Sequence, residues 1–209
     1  MSTVLSTFDG TGGIYASAID YHDAGFSVIP CRVDKRPAID WIEYQNRVAT
    51  YQEIDSWFSP RNEKNHHSIG VVCGAVSGKL AVIDLDGFDA VREFYVQFPK
   101  ASGLTLTVAT GSGQGAHLYF RVDKIPVNIN VRTPLGGFEI RGNGQYVIAP
   151  PSAHPSGNRY KTIALRPIAH VPHLEHVRQW FESMRESETQ ESSRDSPADK
   201  CSGSAHSKH

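Results

Sequence analysis

Apolar and polar residues alternate along several short segments of the chain, and this pattern predicts β-strands. In "GLTLTVAT" and "AHLYFRV" every second side chain lies on the same face, as the period of a strand requires. Apolar runs such as "IGVVCG" and "KLAVIDLD" are typical of buried strands, and the connection at 125–137 has room for a short one. Strands are predicted at 26–30, 69–74, 79–86, 103–110, 116–122, 138–142, 145–151 and, at a sheet edge, 159–165.

Apolar residues at helical spacing predict helices between and after these strands. The first helix covers 14–25, and the second begins at Thr50, where "TYQE" has the form of a capping box closed by Thr50 and Glu53. Further helices are predicted at 88–98 and 173–184. This order of elements predicts an α+β domain with a mainly antiparallel sheet flanked by helices.

Composition divides the 209 residues into three parts. Residues 1–13 are predicted to be a flexible N-terminus and residues 14–184 a single folded domain. Residues 185–209 are Ser-rich, acidic and almost free of apolar side chains, so we expect a disordered tail. The chain has neither an apolar stretch long enough to span a membrane nor the layout of a signal peptide, which predicts a cytoplasmic protein.

Charge is distributed unevenly, although the formal net charge is only -1. Basic residues predominate between 117 and 166, and acidic residues predominate from 182 to 199. A basic half of this kind can bind a phosphate backbone, and it can equally be an ordinary solvated surface. The three cysteines are isolated from one another, so neither a zinc site nor a disulfide framework is predicted.

The segment "VIDLDG" places two carboxylates at the end of an otherwise apolar strand. Asp84 and Asp86 share a face with Val82, whereas Ile83 and Leu85 point the other way. Two like charges held side by side repel each other, and their burial is costly unless they are paired. We therefore expect a cationic group between the two carboxylates.

Two other predicted strands carry a similar polar stripe. One presents His117 with Tyr119 and Arg121, and the other presents Glu139 with Arg141. If the three strands are neighbours, one face holds three carboxylates, an imidazole and two guanidinium groups. Carboxylates that bind hard divalent cations, with basic groups beside them, are the components of phosphoryl or nucleotidyl transfer.

Each member of this set also has a purely structural interpretation. Asp86 can cap the following helix, and His117 can be a hydrogen-bonded core histidine. Glu139 and Arg141 can form a simple ion pair, and "GSGQG" at 111–115 can be an ordinary turn. The functional interpretation depends on all of them occurring together.

Three ordered motifs, "VIDLDG", "TGSGQGAHLYF" and "GFEIRGNGQYVIAPPSAHPSGNRY", closely resemble one family. The family is the bifunctional DNA primase/polymerase domain of the archaeo-eukaryotic primase superfamily, found in replication proteins of plasmids, phages and other mobile elements. The segment "AIDYHDAGFSVIPCRVDKRPAIDW" is similar to the opening helix, strand and Lys-x-Pro loop of that family. The resemblance covers about residues 14–165 and implies a primase-like catalytic core with an RRM-like sheet.

The resemblance implies a role for individual residues of this chain. Asp84, Asp86 and Glu139 correspond to carboxylates that hold two divalent metal ions, Mg²⁺ or Mn²⁺. His117 corresponds to a histidine that contacts the triphosphate of the incoming nucleotide, and Arg141 is placed to reach phosphate. Further nucleotide-binding candidates are Lys35, in the basic loop, and Ser112, since Gly115 stands where the Ser-x-His form of the motif has serine.

Substrates and partners follow from the same resemblance. They are a single-stranded DNA template, a primer strand and dNTPs or NTPs, with a replicative helicase as a candidate partner. The basic stretch from Arg121 to Arg166 is expected to hold the template, and Tyr119 or Tyr146 either stacks on a base or belongs to the core. The predicted activity is DNA primase/polymerase in the replication of a mobile element.

Three alternatives remain open at the level of sequence. The first is a non-catalytic nucleic-acid-binding module of a replication initiator or helicase complex. The second is a rolling-circle relaxase, which needs a His-x-His strand that "NHHS" at 65–68 does not match. The third is a metal-stabilised α+β protein with no role in nucleic-acid chemistry.

Overall fold

A computed structural model describes residues 12–61 and 68–194. Within this part of the chain the α-helices are α1 (Gly13–Asp23), α2 (Tyr51–Phe58), α3 (Phe88–Gln97) and α4 (Glu175–Arg194). The capping box predicted at the start of α2 is confirmed, because the Thr50 hydroxyl accepts from the Glu53 amide at 3.2 Å and the Glu53 carboxylate accepts from the Thr50 amide at 2.7 Å. Most of the predicted flexible N-terminus, as well as His66, His67 and the end of the predicted tail, lies outside the described residues.

The last helix is longer than the sequence pattern predicts. The apolar stripe ends at Met184, but α4 continues to Arg194, into the segment that we expected to be disordered. The added turns contain Glu, Gln, Ser and Arg without Gly or Pro, so helix propensity can continue the helix where hydrophobicity gives no signal. Low hydrophobicity therefore marked the end of the core and not the end of the helix.

Ten strands are present in the described residues, and they form two sheets. They are β1 (Ser27–Cys31), β2 (Ser68–Val72), β3 (Leu80–Asp86), β4 (Thr107–Ala109), β5 (Ala116–Val122), β6 (Ile129–Thr133), β7 (Gly136–Arg141), β8 (Tyr146–Ala149), β9 (Lys161–Ala164) and β10 (Ala169–Val171). A small sheet has the order β1-β2-β8, and a large one has the order β6-β7-β3-β5-β4-β9, with β10 beside the second half of β5. The β10–β5 pair is parallel and the other pairs among these strands are antiparallel, which confirms the α+β class and the mainly antiparallel pairing.

The dipeptide "NG" at 143–144 is typical of a tight turn between paired strands, yet the strands on either side of it belong to different sheets. A turn is present, with the Gln145 amide donating to the Gly142 carbonyl at 3.3 Å. However, β7 already has β6 and β3 as neighbours, so β8 leaves the large sheet and pairs with β2. The side chain of Asn143 fixes this change of direction by accepting from the Ala75 amide at 2.9 Å.

Two hydrophobic cores lie on opposite faces of the large sheet. One lies between the two sheets and includes Leu80 and Val82 of β3 together with residues of α1 and α2. The other lies under α3 and α4 and includes Ala81, Ile83 and Leu85 of the same strand. The predicted alternation of β3 is thus confirmed. Asp84 and Asp86 follow Leu80 and Val82 on the first face, at the end of the strand where that core stops. Among the described residues no helix combines the length and apolar character needed to span a membrane.

Candidate active site

Three central strands bring the predicted polar residues into one row of directly paired positions across the large sheet, which we call a rung. In the pairing register Asp84 of β3 lies opposite His117 of β5 on one side and opposite Glu139 of β7 on the other. Directly paired residues of antiparallel strands point to the same face, so these side chains are immediate neighbours. Asp86 lies two residues further along β3, opposite Gly137.

These side chains line a single cavity of about 360 Å³ between the rim of the small sheet and the polar end of the large one. All seven residues that the sequence proposed for catalysis or nucleotide binding contribute to its wall. They are Lys35, Asp84, Asp86, Ser112, His117, Glu139 and Arg141. Residues that are distant in sequence therefore meet in one place.

Arginines link the carboxylates of the cavity. Arg141 donates from Nε to Asp84 at 2.9 Å and lies with Nη2 2.6 Å from Glu139. Arg132 places Nη2 2.6 Å from the other oxygen of Glu139 and Nη1 3.2 Å from Asp86. A cationic group was expected between Asp84 and Asp86; instead, each of the two carboxylates has its own guanidinium partner, which links it to Glu139.

Sequence reasoning did not single out Arg132 as a site residue. It lies on β6, where the sequence indicated only a connection with room for a short strand. Once β6 is paired with β7, Arg132 stands opposite Gly137 and Asn130 opposite Glu139, on the face of the acids. The alternation in "INVRT" was the available signal, but its register against β7 depends on the tight turn between the two strands.

Burial and charge act against each other on these groups. Burial alone raises the pKa of Asp84, but attraction to His117 and Arg141 outweighs it and holds this pKa well below its usual range. Burial also raises the pKa of Glu139, and here the two arginines do not fully reverse the shift. For Arg141 burial lowers the pKa, yet the neighbouring carboxylates leave it above the ordinary value.

His117 lines the cavity and is only 4% exposed. Its Nε2 atom is 3.4 Å from a carboxylate oxygen of Asp84, and its ring lies beside that of Tyr160. The Nδ1 atom is buried and has no hydrogen-bond partner among the described residues. The tight packing fixes the imidazole against the carboxylate.

The Gly-rich turn explains why glycine replaces serine two residues before His117. A Cβ atom at Gly115 would lie 2.5 Å from the Leu85 carbonyl oxygen and 2.7 Å from the Thr110 hydroxyl, so there is no room for a side chain. Thr110, which sequence reasoning missed, holds its hydroxyl 2.8 Å from that of Ser112, and both residues line the cavity. Two hydroxyl groups thus stand near the position that the Ser-x-His form would fill.

Lys35 reaches the cavity from the loop that follows β1. Its backbone has a positive φ of 72°, which is uncommon for a residue other than glycine. The Tyr146 hydroxyl holds this conformation by donating to the Lys35 carbonyl at 2.9 Å, and Tyr146 itself packs edge-on against Trp41. Tyr146 therefore supports the basic loop in addition to lining the cavity.

Two residues of the predicted polar stripes lie elsewhere. Tyr119 is 1% exposed and belongs to the core between the sheets, so it cannot stack on a base. Arg121 lies over the ring of Phe26 and donates to the Ser77 carbonyl, so it is engaged inside the fold and does not face a template. The face that carries Asp84 is therefore polar only near the cavity, and further along the strands it belongs to the hydrophobic core between the sheets.

The described part of the chain contains no group of three or more His, Cys, Asp or Glu side chains already arranged to hold a metal ion. The carboxylates of the cavity are paired with arginine instead. Both oxygens of Glu139 face guanidinium groups, and one oxygen of Asp84 accepts from Arg141. The carboxylates are close together but are oriented toward arginine.

Comparison with known proteins gives the family. A family model described as "Bifunctional DNA primase/polymerase, N-terminal" (Prim-Pol) matches residues 18–174, which is most of the chain. A comparison with curated proteins finds no match. The α+β fold with mainly antiparallel sheets agrees with a primase-like core, and the family implies nucleotidyl transfer with DNA and nucleotides as substrates. The chain therefore belongs to the Prim-Pol family of bifunctional DNA primase/polymerase domains.

Proposed function

We propose that the chain is a template-directed nucleotidyltransferase that joins dNTPs or NTPs to a primer 3′-hydroxyl or to a first nucleotide. The observation that carries the proposal is the rung on which Asp84, His117 and Glu139 lie side by side at the wall of one cavity. Replication of a mobile element, with a replicative helicase as partner, is the setting that the family resemblance supports.

The donor set of the cavity fits divalent cations in its chemistry. Asp84, Asp86 and Glu139 offer only carboxylate oxygens, the ligands that Mg²⁺ and Mn²⁺ prefer, and we assign them as the residues that hold two cations. Cations held by these residues would lower the pKa of the attacking hydroxyl and stabilise the departing pyrophosphate. The carboxylates must exchange part of their arginine contacts for the cations.

The chain's own cationic and hydroxyl groups bind and orient the nucleotide. Arg141 is held at the floor of the cavity by Asp84 and Glu139, so its position is fixed before substrate arrives. We assign His117, Arg141, Lys35 and the Ser112 hydroxyl as contacts of the triphosphate. Guanidinium and ammonium groups stabilise the negative charge on the phosphates.

The template is held by basic side chains on the surface. Three arginines of the basic stretch already contact groups inside the fold or the cavity, so we do not assign them to the DNA backbone: Arg121, Arg132 and Arg141. The exposed basic residues that remain in this stretch are Lys124, Arg159, Lys161 and Arg166. They are available to neutralise the DNA backbone, and we expect salt to weaken template binding.

A synthesis assay on single-stranded DNA tests the proposal. The protein is incubated with labelled dNTPs or NTPs, with and without an annealed primer, in Mg²⁺ or Mn²⁺. Products that need both template and cation, and that disappear with a chelator, are expected. Primer-free products identify priming, whereas products that need a primer identify extension alone.

The pairing of the acids with arginine also favours one alternative, a non-catalytic nucleic-acid-binding module on the same fold. Such a module binds DNA but makes no product with either cation. The same reactions, combined with a DNA-binding titration, distinguish the two functions. Binding without synthesis would replace our proposal with this one.

A further inference from the structure

Arg132 occupies the space between two carboxylates to which we assign cations, so this inference rests on the proposed function. One end of its guanidinium lies 2.6 Å from Glu139 and the other 3.2 Å from Asp86. A positive group that bridges two carboxylates removes the repulsion between them. A divalent cation at the same carboxylates serves the same electrostatic purpose.

The two arginines of the cavity are held to different degrees. The Arg141 side chain is 25% exposed and reaches Asp84 and Glu139 from a central strand. The Arg132 side chain is 57% exposed, and that of its partner Asp86 is 63% exposed. Arg132 reaches the cavity from the edge strand β6. The pair with Asp86 is exposed on both sides and is therefore weak, and the buried Glu139 keeps Arg141 as a partner when Arg132 leaves, so Arg132 can leave at lower cost than Arg141.

The backbone leaves a place for the Arg132 side chain. Gly137 stands opposite Arg132 on β7, and a Cβ atom built at Gly137 would overlap Nη1 of Arg132. The guanidinium therefore lies directly over the glycine on its way to Asp86. A methyl group at position 137 would displace the arginine without changing its charge, and it would also lie 3.2 Å from Cβ of Asp86.

We propose that Arg132 is a displaceable counter-ion of the active site. In the cation-free protein its guanidinium neutralises Asp86 and Glu139, and divalent cations must compete with it for those oxygens. Arg132 thereby weakens cation binding while it keeps the acidic cluster stable without metal. Arg141 stays bound to the cluster in both situations.

Titration with Mn²⁺ alone, followed by the electron paramagnetic resonance signal of the free ion, tests this directly and needs no catalysis. Arg132→Met should bind Mn²⁺ roughly tenfold more tightly than the wild type, because one competing positive charge is gone. Arg132→Lys keeps a charge and should remain close to the wild type. Arg92→Met is the matched control, since it removes a similarly exposed arginine that pairs with Asp89 outside the cavity and should leave Mn²⁺ affinity unchanged.

Gly137→Ala gives an independent second variant should Arg132→Met fold poorly, as judged by thermal unfolding. It displaces the guanidinium but keeps its charge nearby, so a smaller gain in Mn²⁺ affinity is expected. Unchanged or weaker binding in both Arg132→Met and Gly137→Ala would overturn the inference. If Asp84→Asn still weakens Mn²⁺ binding in that case, the proposed cation site stands without it. If Asp84→Asn has no effect on Mn²⁺ binding, both proposals fail.

Discussion

The two faces of the large sheet are built from alternate residues of the same three strands, yet they contact entirely different surroundings. On one face Asp84, His117 and Glu139 point into the cavity. On the other face their chain neighbours Leu85 and Phe138 are fully buried under α3 and α4. A shift of one residue along a strand therefore separates a charged site from a hydrophobic core.

This difference shows how the fold supports a cluster of like charges. The apolar face holds β3, β5 and β7 in register through packing that does not involve the acids. Ion pairs of the cavity then act on strands that are already positioned. Because each polar residue has an apolar neighbour on the opposite face, the chain supplies its own matched controls.

The largest effect is expected from Asp84→Asn. The change keeps the shape of the side chain but removes the charge that pairs with Arg141 and that we assign to cation binding, so synthesis should fall by roughly 10³-fold or more. Primer extension measures this loss, and circular dichroism should show a folded protein. Synthesis within tenfold of the wild type would remove Asp84 from the proposed site.

The opposite face should respond in stability. Phe138→Ala removes a fully buried ring that packs against Trp180 and Phe181, and the free energy of unfolding should fall by about 3–5 kcal/mol. Urea denaturation measures the loss, and activity per folded molecule should remain close to that of the wild type. A stable Phe138→Ala protein without activity would show that the two faces are not separable in this way.

A smaller effect on the polar face is expected from His117→Ala. Loss of one charge-assisted contact to the triphosphate should raise KM for the nucleotide roughly 10- to 100-fold, with a lesser change in kcat. Steady-state kinetics measures the split. Leu118→Val, on the other face, should leave KM unchanged, and an unchanged KM in His117→Ala would exclude the assigned contact.

The sequence specified the faces of the strands but not all of their partners. The period of two is a local property, so the separation of Asp84 from Leu85 could be predicted from "VIDLDG" alone. The rung of Asp84, His117 and Glu139 depends on the register between strands far apart in the chain, and only the order of the motifs indicated it. The site residues themselves remain predictions that the assays above must test.

Elements whose structure depends on a distant partner were predicted less well. Arg132 was missed because only the register of β6 with β7 places its side chain beside the carboxylates. The "NG" turn was visible, but the transfer of β8 to the small sheet depends on β7 already having two neighbours. Arg121 was expected to help hold the template, because its position over the Phe26 ring cannot be read from local spacing.

The smallest effect concerns the pH dependence of stability, and it compares the two faces at a single pair of neighbours. The charge of Asp84 is favoured in the folded protein, where attraction to His117 and Arg141 overcomes burial and lowers its pKa. A carboxyl group of this kind adds stability that is complete above its unfolded pKa of about 3.9 and is lost as the pH falls below that value. The difference in unfolding free energy between the wild type and Asp84→Asn should therefore shrink on acidification from about pH 7 to about pH 3.

Leu85→Ala provides the comparison, because its cost arises from packing and has no titrating group of its own. Its difference from the wild type should stay constant over the same range, as measured by urea denaturation at each pH. If both differences stay constant, the pKa of Asp84 is not lowered by folding, and its ion pairs with His117 and Arg141 do not stabilise the rung. If only the Asp84→Asn difference shrinks, electrostatic pairing stabilises the polar face, whereas packing stabilises the apolar face that holds the strands in place.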